Sequence, residues 1–74
     1  MALTLLAIIK IVEERAGFKG RMRLAVMTGV NRIKAGEIPD DPKTVDKFKR
    51  AAAEILGEEI DDREIKKLAK SGTL

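Results

Sequence analysis

The chain has 74 residues and a formal net charge of +3; 45% of it is apolar, and Phe18 and Phe48 are its only aromatics. That is room for one domain and not two, and a chain this size buries only roughly 60% of the surface its unfolded form exposes. It holds no cysteine and no histidine, which excludes disulfide staples and the common zinc sites and leaves helix packing or association to stabilise the fold.

Residues 2–16 (ALTLLAIIKIVEERA) come first. Leu5, Ile8, Ile9, Val12 and Ala16 follow the spacing of one helix face. The β-branched Ile8, Ile9, Ile11 and Val12 would also suit a buried strand. Length and the Glu-Glu-Arg ending favour a helix. The apolar run Ala2 to Ile9 is far shorter than the roughly 20 residues that span a bilayer. Its first charge, Lys10, follows the run rather than preceding it, unlike a secretory leader. No membrane partner is expected, and a cytoplasmic setting is, in keeping with the lack of cysteine.

Gly17 should end this helix as a left-handed cap. Phe18, Met22, Ala25 and Val26 then recur at helical spacing, with Lys19, Arg21 and Arg23 pointing elsewhere, and Thr28-Gly29 closes a second helix. Asn31 can cap a short third one over Arg32 to Ala35, stopped by Gly36. Residues 37–42 form a connector, because Pro39 and Pro42 forbid a continuous helix.

Asp41 is the expected N-cap of the next helix, with Pro42 in its first turn, where a missing N–H costs nothing. Val45, Phe48, Ala52 and Ile55 give it an apolar stripe from Pro42 to Leu56, and Gly57 ends it. The last helix starts at Asp61, with Glu64 three residues on as the reciprocal acceptor of a capping box and Ile60 and Ile65 at the staple positions. Ser71 to Leu74 should fray. The fold expected is all-α, a small bundle of four to five short helices in a single domain. Residues 1–36 form a basic, apolar-rich half, and residues 43–74 hold the two C-terminal helices.

Enzymatic chemistry lacks its usual agents. Without histidine and cysteine there is no ordinary base near neutral pH and no thiolate. The acid pairs Asp40-Asp41, Glu58-Glu59 and Asp61-Asp62 sit at turns and helix starts, where carboxylates cap. No glycine pattern makes a phosphate cradle, and Asp61-Asp62-Arg63-Glu64 lacks the alternating oxygen ligands of a calcium loop. No catalytic residue, cofactor or metal site is expected, and the chain reads as a binding module rather than an enzyme.

Two features point to partners. The first is the width of the apolar surface on residues 2–16. Leu3, Leu6 and Ile11 extend it beyond one stripe, which suggests an oligomer interface or a docking face, the alternative being a helix buried at the centre of the bundle. Self-association or a partner protein is therefore expected.

The second is charge. Residues 1–34 carry seven bases against two acids, whereas residues 35–74 carry eight bases against ten. From Arg15 to Gly36 there is no acid at all. Arg15, Lys19, Arg21, Arg23, Asn31, Arg32 and Lys34 are the candidate contacts to nucleic acid or another anionic partner, the alternative being a solvated helix face. Within this window Leu24-Ala25-x-x-Thr28-Gly29-Val30 resembles a helix-turn-helix motif. A small residue and a turn glycine stand four apart, and Asn31, Arg32 and Lys34 follow on a short helix. The resemblance covers about a fifth of the chain and implies DNA binding. Gly36 and Pro39 cut the would-be recognition helix to little more than one turn, and scarce aromatics disfavour single strands, whose bases stack on rings.

Overall fold

A computed structural model describes residues 3–31, 34, 37 and 41–71. Those residues are helical and contain no strand, so residues 3–16 take the helical alternative. There are three helices where four to five were expected: α1 (Leu3–Thr28), α2 (Pro42–Leu56) and α3 (Asp62–Ser71). The two helices anticipated on either side of Gly17 join in α1 without an intervening loop. The short helix at Arg32–Ala35 lies mostly outside the described residues. Of it, Lys34 is helical and its N–H donates to Asn31 Oδ1 at 2.8 Å, as the expected cap requires. Ile38, Pro39 and Asp40 of the connector and residues 72–74 also lie outside them.

Gly17 bends α1 sharply. A straight 26-residue helix would be about 39 Å long, yet the longest dimension of the domain is 25 Å. Gly17 has φ 72° and ψ −168°. This is not the left-handed cap that was expected but an extended conformation at positive φ, almost reserved to glycine. Past the bend the second arm turns Gly20, Leu24 and Thr28 inward. Gly20 lies so near the first arm that a Cβ there would collide with Ala16 Cβ and stand 3.4 Å from Val12 Cγ1. In a straight helix residues 12 and 20 would be separated by about 12 Å of rise.

The first arm is the centre of the domain. Leu5, Ala7, Ile8, Ile9, Ile11 and Val12 are all buried and cover somewhat more than half of the helix circumference, the rest of which carries Leu6, Lys10, Glu13 and Glu14. They form one cluster with Leu24 of the second arm, Phe48, Ala51 and Ala52 of α2, and Ile60 and Ile65 at the start of α3. Both C-terminal helices pack on α1, while their own Cα traces stay more than 8 Å apart. The gap between them is an apolar cleft lined by Val45, Lys49, Asp62, Ile65 and Ala69, bridged by the Lys49–Asp62 ion pair.

The ends of α2 follow the sequence closely. Asp41 accepts from Thr44 N–H at 3.2 Å, Pro42 lies in the first turn, and Gly57 (φ 73°, ψ 12°) donates to the Ala53 carbonyl at 2.8 Å. Phe48 is completely buried. The cap of α3 is half of what was expected. Asp61 accepts from Arg63 N–H at 2.9 Å, and Ile60 and Ile65 both join the core. Glu64, however, pairs with Arg15 at 2.6 Å. A long-range guanidinium, with its full charge, takes the carboxylate that the box assigned to a backbone N–H.

Candidate docking face

Residues on a helix advance by about 100° each, so Phe18, Met22 and Val26 fall within an arc of about 80°. With Gly20, Leu24 and Thr28 turned inward, that arc faces solvent. Phe18 is 61% exposed, Met22 52% and Val26 81%. These residues do recur at helical spacing as expected, and the face that they share is the outward one. Gly20 lies opposite them and is the residue that lets the arm approach, so the arm seats on its glycine side.

The C-terminal end of this face is built by a tight turn. Thr28 is buried, and its hydroxyl donates to the Leu24 carbonyl at 2.8 Å while accepting from Val30 N–H at 3.3 Å. Gly29, at φ 74°, donates to the Ala25 carbonyl at 2.8 Å and ends the helix there. Val30 and Asn31 are thereby brought beside Met22 and Ala25. Together with Ile9, Leu24 and Arg21 they line an open groove of about 350 Å³.

The candidate basic residues do not form one patch. Arg15 points to the acidic half and bridges Glu58 at 3.2 Å and Glu64 at 2.6 Å. Arg21 pairs with Glu13 at 2.8 Å across the bend, its guanidinium 4.9 Å from the centre of the Phe18 ring. Asn31 is engaged as a cap by Lys34 N–H. Arg32 lies outside the described residues. Lys19 and Arg23 remain together, one turn apart, exposed, and with no ion pair among the described residues. They border the Phe18-Met22-Val26 stripe on one side. Lys34 is exposed beyond the turn.

The candidate interface on the first arm is placed differently again. Ile11 is 1% exposed and belongs to the core, and Leu6 is half-buried against it; the Leu3 side chain lies outside the described residues. Ile11 is therefore not on a surface, because α2, α3 and the second arm cover the first arm from several sides. The apolar surface left open is on residues 18–26. Its sequence signal was the register of Gly20-Leu24-Thr28, a glycine–large–small set that competes with Phe18-Met22-Val26 for the inward position.

Among the described residues no three Asp, Glu, His or Cys side chains come together where they could hold a metal ion. No helix among them is long and apolar enough to cross a membrane. No protein-family profile matches the sequence, and neither the curated proteins nor the solved structures include a significant match.

Proposed function

We propose that this chain is a small helical protein-interaction module that engages its partner through the outward face of residues 18–30. The observation that carries this is the stripe Phe18-Met22-Val26, exposed at one-turn intervals in a chain whose first arm buries Leu5, Ile8, Ile9, Ile11 and Val12. Large apolar side chains left in water on one helix face of a marginal domain lower its solubility unless something covers them. A photo-crosslinking side chain at position 26 tests this, with one at the exposed Glu54 of α2 as control. Protein adducts from position 26 that are missing from position 54 are expected. Equal labelling from both positions, or none from position 26, would refute the assignment.

One observation favours nucleic acid instead: the window from Arg15 to Gly36 has no acid, and Lys19 and Arg23 form no ion pair at its surface among the described residues. The resemblance of Leu24-Ala25-x-x-Thr28-Gly29-Val30 to a helix-turn-helix motif supports the same reading. Phosphate contacts weaken steeply with ionic strength. A duplex-DNA shift at low salt that disappears at about 200 mM salt and on reversal of Lys19 and Arg23 to Glu would support that alternative. A duplex left unshifted at low salt would remove it.

A further inference from the structure

We propose that the occupant of this face is an acidic amphipathic helix of a partner protein. It lies along the second arm of α1, with an apolar side chain in the groove beside Met22 and carboxylates over Lys19 and Arg23. The proposal rests on the docking role above and adds the chemistry of the partner.

Shape supports a helix. The arm from Phe18 to Thr28 is about 16 Å long, which two to three turns of a partner helix would cover with apolar anchors at i, i+3 or i+4, and i+7. The groove gives one anchor a floor, since Ile9, Leu24, Ala25 and Val30 line it and Arg21 and Asn31 form its polar margin. An apolar stripe beside such a groove suits a side chain that inserts while its neighbours lie flat.

Charge identifies the partner as acidic. Lys19 and Arg23 stand beside the stripe with no carboxylate paired to them among the described residues, and the sequence supplies none between Arg15 and Gly36. Of the two acids before the bend, Glu13 is engaged by Arg21, and neither it nor Glu14 pairs with Lys19 or Arg23 among the described residues. Complementary potentials fix register and exclude wrong partners, so the missing carboxylates belong to the other molecule.

The same charges argue against a second copy. Two such arms laid antiparallel would set Lys19 and Arg23 against their own counterparts, where like charges repel. A head-to-tail contact would need another exposed apolar stripe, and the large exposed apolar side chains among the described residues are Phe18, Met22 and Val26 themselves. A phosphate backbone would satisfy the two bases yet leave the stripe uncovered.

A displayed library of helical peptides of about 18 residues, randomised at the positions flanking an apolar seam, tests the proposal. Peptides enriched on the intact protein should carry Asp or Glu along one flank. Affinity for the enriched peptide should fall by at least about tenfold in a Lys19→Glu, Arg23→Glu protein and weaken with salt. It should fall as well in Met22→Ser, with the circular dichroism of all variants unchanged. Enrichment of neutral or basic flanks that still depends on Met22 would overturn the acidic partner while leaving the docking face standing. No peptide sensitive to Met22 or Val26 would overturn both. Binding of duplex DNA or of phosphatidylserine vesicles that displaces the peptide, and that Met22→Ser abolishes, would assign the face to a different anion and overturn the proposal. A concentration-dependent dimer that Val26→Lys dissociates would do the same in favour of a second copy.

Discussion

Replacing Gly20 by alanine should destabilise the domain, although alanine is the better helix former. In an open helix the change would gain about 1 kcal/mol. Here the new methyl meets Ala16 Cβ well inside van der Waals contact, and Val12 Cγ1 at 3.4 Å. Neither neighbour is the free end of a long side chain, so the arms of α1 must separate or the bend must open. Overpacking of this kind costs about 1–3 kcal/mol. The net expectation is a loss of up to about 2 kcal/mol, a fall in Tm of up to roughly 15 °C for a domain this size. Thermal unfolding followed at 222 nm reads it directly. Adding Ala16→Gly should recover much of the loss, giving a coupling between two sites that only a close crossing explains. Gly17→Ala is the contrast, because nothing lies within 4 Å of its added Cβ and the cost there is one of backbone conformation alone. A Gly20→Ala protein that melts at or above the parent temperature would refute the crossing of the two arms.

Phe48→Ala should cost about 3–5 kcal/mol, comparable to the whole stability of so small a domain; a urea transition that keeps its midpoint would remove Phe48 from the centre of the core. Asp61→Ala should cost about 1 kcal/mol through loss of the cap on Arg63 N–H, whereas Glu64→Gln should leave the start of α3 intact and remove only an exposed pair with Arg15, as amide exchange over residues 62–65 would report. Asp62 is held below its ordinary pKa of 3.8 by the hydrogen bond from Lys49 and then by the Lys49 charge, with Lys66 adding to it. A carboxylate lowered in the folded state stabilises above its ordinary value and loses that contribution as pH falls through the lowered one. Acid titration below about pH 4 should therefore loosen α3 in the parent, and Asp62→Asn should flatten that part of the stability curve; identical curves would show that the pair contributes nothing.

Local signals were legible wherever a few neighbouring residues decide the outcome. Asp41-Pro42 and Gly57 delimit α2, and Phe48 on its apolar stripe goes to the core. Asn31 and Asp61 cap where their positions say they should. What stayed hidden depended on distance. Periodicity alone cannot choose between Phe18-Met22-Val26 and Gly20-Leu24-Thr28, because both sets share one spacing. The choice falls to Gly20, whose missing side chain lets the second arm close against Val12 and Ala16. Likewise the width of the apolar surface around Ile11 was plain, yet Ile11 is covered by its own chain rather than by a neighbour. The basic window divided for a similar reason. Arg15 and Arg21 have acids within reach across the fold, at Glu58, Glu64 and Glu13, that lie far from them or on another turn in the sequence.

The separation of α2 from α3 has a consequence for how the molecule opens. Each leans on α1, their Cα traces stay apart, and the ion pair of Lys49 and Asp62 bridges the cleft at the surface. The ten residues of α3 can therefore detach without disturbing the seat of α2, whereas neither can persist once the first arm of α1 is gone. Opening is ordered by this arrangement: amides of α3 exchange first and alone, and those around Ile8 and Phe48 exchange only when the whole chain unfolds. A protease at low concentration would accordingly trim the chain near Gly57 to Asp61 while leaving the face on residues 18–30 intact.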